Sequence, residues 1–210
     1  MISVTSVINK IGLIICDMSP YIISIFSGAA IAIFAEPVRR FFFKPKLNLE
    51  FTGKEDCLSK TIEARNGAKV ADAFYIKLKV TNTSSIIAKD CRAYLINIEK
   101  QNEDSKFGPT IYSDSIQLAW SCQGAMDRWR GIDICKGVNQ YVDVITTRTN
   151  SEEFDPQIMC KPFRYLPLFK ETGKFIFTIQ VSADGADPKK YKLEFDWKGI
   201  WDKFAAVKLK

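Results

Sequence analysis

Residues Val80 to Glu99 read VTNTSSIIAKDCRAYLINIE, and the reading of this stretch decides the fold. Just upstream and into it, AFYIKLKVT (Ala73 to Thr81) alternates, with Phe74, Ile76, Leu78 and Val80 on one side and Lys77 and Lys79 on the other. A period of two is the signature of a half-buried strand. CRAYLINIE (Cys91 to Glu99) repeats the pattern with Tyr94, Ile96 and Ile98 in phase. Between the two strands, Asn82 tolerates the left-handed backbone of a turn and the hydroxyls of Thr83, Ser84 and Ser85 bond back to the main chain. Ala88 leaves room where the chain crosses the edge of a core.

Outward from this stretch the same pattern recurs. Leu47 to Phe51, Ile116 to Trp120, Gln140 to Thr146, Lys174 to Val181 and Lys190 to Trp197 read as strands, the last two alternating as Phe175, Phe177, Ile179, Val181 and Tyr191, Leu193, Phe195, Trp197. Turn clusters such as Asn66-Gly67 and Asp184-Gly185 separate them. Short strands at this spacing predict an all-β sandwich over residues 47–210, with Gly199 to Val207 as a candidate short helix.

The run Val80-Thr81-Asn82-Thr83-Ser84, then Ala88, then a strand with Tyr94 and Leu95 resembles the first hairpin of the immunoglobulin-like sandwiches called CARDB domains. The order anchor, strand, KVTNTS, AKDCRAYL, LAW and DWKGIW is similar to a loose group of uncharacterised membrane-anchored prokaryotic proteins. The resemblance spans Leu47 to Trp201 and implies an immunoglobulin-like fold and no particular reaction, because its motifs are structural. CARDB-type domains are commonly extracellular, which the charges near the N-terminal segment oppose.

That segment is the second strong signal. MSPYIISIFSGAAIAIFA, Met18 to Ala35, carries no formal charge over eighteen residues, and about 20 apolar residues cross a bilayer core. Ser19 and Pro20 suit a helix start. A single transmembrane helix is predicted over residues 18–38, after a short segment 1–17. Arg39, Arg40, Phe41, Phe42, Phe43, Lys44 and Lys46 then form a basic and aromatic interface collar over residues 39–46. A buried core helix would show a polar face. A signal peptide cut after Ala30-Ile31-Ala32 would have a shorter apolar region and more than Lys10 before it. Ser27, Gly28, Ala29, Ala30 and Ala32 would let helices approach closely, a route to a homo-oligomer. Because basic flanks stay cytoplasmic, the domain beyond the collar is expected on the cytoplasmic side of the cell inner (plasma) membrane, with the lipid bilayer as its first partner.

Composition narrows the chemistry. The chain of 210 residues has no histidine, which excludes Ser-His-Asp and Cys-His systems and histidine zinc sites. No GxxxxGK[ST] or GxGxxG phosphate loop occurs. Much of the formal charge of +6 sits in the collar, so nucleic acid is not an expected partner. Cys57, Cys91, Cys122, Cys135 and Cys160 form no CxxC pair and read as reduced thiols. No cofactor, metal site or catalytic residue is expected. Arg128, Trp129 and Arg130 are candidate partner contacts, since arginine forks grip anions and tryptophan supplies contact area. Trp197 and Trp201, in DWKGIWDKF, are candidates for the same role. The expectation is a membrane-tethered, non-enzymatic interaction or sensor module with a protein partner in a membrane assembly. The alternative is an adhesion or envelope module on the outer face.

Overall fold

The computed structural model describes residues 44–65, 68–124 and 127–208. The predicted segment 1–17, the membrane helix over 18–38, its small-residue face, and collar residues Arg39, Arg40, Phe41, Phe42 and Phe43 lie outside the described residues. Among the described residues no helix is long and apolar enough to cross a membrane. From Pro45 onward the chain forms one compact unit.

The unit is all-β, with two sheets packed across one core. In chain order the strands are β1 (Leu47–Glu50), β2 (Leu58–Arg65), β3 (Ala68–Asn82), β4 (Ala88–Gln101), β5 (Phe107–Pro109), β6 (Ile116–Gln117), β7 (Ala119–Trp120), β8 (Ile132–Ile134), β9 (Asn139–Arg148), β10 (Asp155–Pro156), β11 (Gly173–Ser182), β12 (Lys189–Trp197) and β13 (Phe204–Lys208). A one-turn helix, α1 (Leu166–Lys170), precedes β11. The first sheet runs β1–β3–β9–β10, with β2 also on β3 and β7 also on β9. The second runs β13–β12–β11–β4–β5, with β6 and β8 also on β4. All these strand pairs are antiparallel.

The stretch Val80 to Glu99 therefore folds differently from a hairpin. Its two strands, β3 and β4, lie in opposite sheets, and Thr83 to Ile87 arch across the end of the sandwich. Nor does Asn82 adopt a left-handed backbone, a conformation that among non-glycine described residues belongs to Asp90 and Ser105. Asn82 is fully buried. Its amide donates to the carbonyls of Ile86 at 2.6 Å and Ile134 at 3.0 Å, while its Oδ1 accepts from Ser84 N–H and Oγ–H. A polar side chain out of water is stable only with such partners. Ala88 is fully buried at the far foot of the arch, where a larger residue would crowd the core.

The face of β4 also differs from the alternation read in the sequence. Cys91, Ala93 and Leu95 point into the core, whereas Tyr94 and Ile96 are half-buried on the other side. A bulge opposite Thr178 and Ile179 then restores Ile98 to the core. One extra residue exchanges the two faces of a strand, so periodicity alone cannot show where the phase changes.

Two further differences have local causes. Ile116 to Trp120 is interrupted at the fully buried Leu118, where the chain passes from β4 to β9 and so from one sheet to the other. The C-terminal segment, expected as a helix over Gly199 to Val207, turns at Gly199, φ 74°, and returns as β13 on the edge of β12. That pairing satisfies backbone groups which would otherwise line an open edge. β11 and β12 bury Phe175, Phe177, Ile179, Val181, Tyr191, Leu193, Phe195 and Trp197 as their alternation requires.

Candidate functional site: a polar groove on the first sheet

The outer face of the first sheet is the face opposite Ile76, Leu78 and Val142. Register places Ser59 opposite Tyr75, Lys77 opposite Asp143, and Ala73 opposite Arg148. The chain beyond β7 folds over this face, so that Ser59, Thr61, Glu63, Tyr75, Lys77, Ser121, Gln123, Arg128 and Asp143 line a groove of about 620 Å³.

Two charge clusters shape it. Asp143 is only 7% exposed. Burial raises its carboxyl above the usual carboxylate range, against the lowering influence of the Ser121 hydroxyl, Lys77 and Arg128. Ser121 Oγ–H donates to Asp143 Oδ1 at 2.5 Å, and Arg128 stands 3.8 Å from Oδ2. Gln123 Oε1 is buried in the wall with no hydrogen-bond partner among the described residues. The second cluster ties three strands. Arg148 of β9 reaches Glu63 of β2 at 2.5 Å and Asp155 of β10 at 2.6 Å, and Lys161 closes on the other oxygen of Asp155. Burial alone would lower the Arg148 pKa, but its hydrogen bonds to the carboxylates of Glu63 and Asp155 outweigh it and hold the guanidinium charged.

Of the residues singled out in the sequence, Arg128 belongs to this groove. Its guanidinium also donates to Gln157 and lies 5.5 Å from the ring centre of Trp129, a cation–π distance. Trp129 is half-buried and anchored by a 2.6 Å hydrogen bond from Gln117 Nε2 to its carbonyl. Arg130 extends into solvent beside Asp127 at 3.2 Å.

The other two candidates fall elsewhere. Trp197 is fully buried among Phe154 and Phe195, which leaves it no surface to offer a partner. Trp201 is half-buried: its carbonyl accepts from Thr147 Oγ1 at 2.6 Å, and Lys60 Nζ lies 4.6 Å over its ring. Of the collar residues that are described, Lys44 is half-buried and Lys46 exposed. The Lys46 carbonyl accepts from both Thr83 N–H, at 2.9 Å, and Thr83 Oγ–H, at 3.1 Å.

Asp143, Glu63, Tyr75 and Gln123 were not singled out by sequence reasoning. An aspartate inside a strand between Val142 and Val144 was the available signal, since a buried carboxylate needs partners that only the fold supplies.

Among the described residues the cysteines carry no shared site. Cys57, Cys91, Cys122, Cys135 and Cys160 are free, with Cys57 and Cys91 buried and the other three exposed. Burial, with Asp133 adding, pushes the Cys91 thiol up to about 12, so it stays protonated. No group of three or more His, Cys, Asp or Glu among the described residues could hold a metal ion.

Chemically, the groove offers fixed donors from Arg128 and Lys77 and acceptors from Asp143, Glu63 and Gln123 around the ring of Tyr75. Such a surface suits recognition of a partner group that both donates and accepts hydrogen bonds. No family model matches this chain, and no curated protein matches it.

Proposed function

We propose that this chain is a membrane-tethered, non-enzymatic interaction or sensor module. Its immunoglobulin-like, CARDB-like sandwich works at the cytoplasmic surface of a prokaryotic plasma membrane, and the groove around Arg128 and Asp143 takes a protein partner of the same membrane assembly. The observation that carries the reading is the position of Lys46. It is the last residue of the basic collar, yet its carbonyl is already held by Thr83 at the end of the sandwich, so the domain's hydrogen bonding begins within the collar sequence. A domain set this close to a basic collar has its reach confined to the membrane surface.

The three exposed thiols provide the topological test. A membrane-impermeant maleimide applied to intact cells is expected to leave Cys122, Cys135 and Cys160 unmodified until the membrane is permeabilised. Modification before permeabilisation would move the sandwich to the outer face and support the adhesion or envelope role instead. For the partner role, a photo-crosslinking residue at position 130 is expected to yield one discrete adduct in membranes, lost in Arg128→Glu. An adduct that persists in that variant would remove the groove from the reading.

A further inference from the structure

The end of the sandwich where the chain leaves Lys46 carries an apolar tip. Asn82 gathers it, accepting on its backbone carbonyl from Gly137 N–H at 2.8 Å while its side chain holds the carbonyl of Ile86. The arch and the Cys135–Val138 turn are thereby fastened side by side. Ile86, Ile87 and Val138 project from them, 36%, 45% and 42% exposed. Large aliphatic side chains grouped at one extremity on a fixed scaffold mark a surface that meets something.

A basic rim surrounds the tip. Lys46, Lys89 and Lys136 flank it and are exposed. The β11–β12 turn joins the same end, since Asp184 N–H donates to the Lys89 carbonyl at 2.9 Å, and the start of β12 adds exposed Lys189 and Lys190. Of the acidic residues at this end, Asp90 is paired with Arg92 at 3.1 Å and Asp133 accepts the Asp90 N–H, while Asp184 and Asp187 sit in the β11–β12 turn.

From this geometry we infer that the Ile86–Ile87–Val138 tip docks into the headgroup layer of an anionic bilayer, with the lysines of the rim on lipid phosphates and carboxylates. The inference rests on the membrane-tethered reading above. What selects lipid over a protein occupant is continuity: the tip lies at the end of the sandwich from which Lys46 leads back to Arg39, Arg40 and the three phenylalanines of the collar. Apolar side chains ringed by lysine match the layered chemistry of an interface, apolar beneath anionic. The sandwich would then have a fixed stance, β3 running towards the membrane and the groove opening sideways.

The test uses the full chain with Cys16, Cys122, Cys135 and Cys160 replaced by serine, reconstituted into vesicles and labelled with an environment-sensitive fluorophore through Ile87→Cys. The control site is Ile62→Cys: Ile62 pairs with Asp72, ten residues before Asn82 on β3, so it lies about 33 Å from the tip. In vesicles containing phosphatidylserine, aqueous iodide should quench the label at position 87 severalfold less than at 62. High salt or pure phosphatidylcholine should narrow that difference. Equal quenching at the two sites, in protein that resists alkaline extraction, overturns the docking and leaves the anchor standing. Release of the protein by alkali overturns the anchor and the docking with it. Protection at position 87 that persists in detergent and grows with protein concentration assigns the tip to a second copy and overturns the lipid.

Discussion

Asn82 and Asp143 are both buried polar residues, and they act in opposite ways. Asn82 is a satisfied staple with four side-chain hydrogen bonds spanning the arch and β8. Asn82→Ala removes them and takes the amide donor from the carbonyls of Ile86 and Ile134, of which Ile86 keeps the Ser84 hydroxyl. A loss of about 2–3 kcal/mol is expected, read as a lower denaturant midpoint of the full chain in detergent. Asp143 is costly to bury. Its folded carboxyl is raised above the unfolded value, so its contribution to stability is full below the unfolded pKa and is lost as pH rises through the folded one. Asp143→Asn is therefore expected to match the wild type in acid and to exceed it as pH rises towards neutrality. Midpoints measured across that window, with a constant difference between the two proteins, would contradict the assignment. Neither role was legible beforehand. Asn82 stands out in the sequence for its backbone, whereas the carbonyls that its amide holds lie 4 and 52 residues away along the chain.

At the scale of elements, β2 shows how a strand escapes a sequence reading. LSKTIEAR has a lysine at position 60 where alternation would want an apolar residue, and Ile62 is 59% exposed. β2 is held by its ladder to β3 and by the Glu63–Arg148–Asp155 tie rather than by an apolar face. Arg148→Met leaves Asp155 with Lys161 alone and Glu63 without its β9 partner. The expected cost is about 2–3 kcal/mol. Hydrogen exchange of the β2 amides Leu58 to Ile62 should rise before that of β11, a central strand of the second sheet. Strands whose inner faces are densely apolar, β3, β9, β11 and β12, were readable because burial and periodicity agree there. The short strands β5, β8 and β10 carry too few residues to show any period, and the chain forms them only because β4 and β9 offer free edges.

Over the whole molecule, one ring joins the two sheets. Phe154, between β9 and β10, is fully buried against Phe169, Phe175, Phe177, Phe195 and Trp197 at centroid distances of 5.1–6.3 Å. It links the outgoing chain of the first sheet to the aromatic face of the second. Phe154→Ala is expected to cost about 3–5 kcal/mol and to lower the stability of both sheets together in a single transition. Separate transitions for the two sheets would show that the shared core is not what couples them. Trp120 makes a second link, with Nε1–H donating from β7 to the Cys91 carbonyl on β4 at 3.1 Å.

The sequence by itself determined the all-β class, the presence of the long strands other than β2, and the basic stretch ahead of Leu47. Those properties follow from local periodicity and composition, which each segment carries alone. Only the tertiary structure decided that β3 and β4 belong to opposite sheets, that Trp197 is core while Trp201 lies under Lys60, and that Arg128 meets Asp143 over a groove. Which sheet a strand joins depends on edges and partners distant in the chain. A buried charge is tolerable only where the fold brings its counter-groups to it.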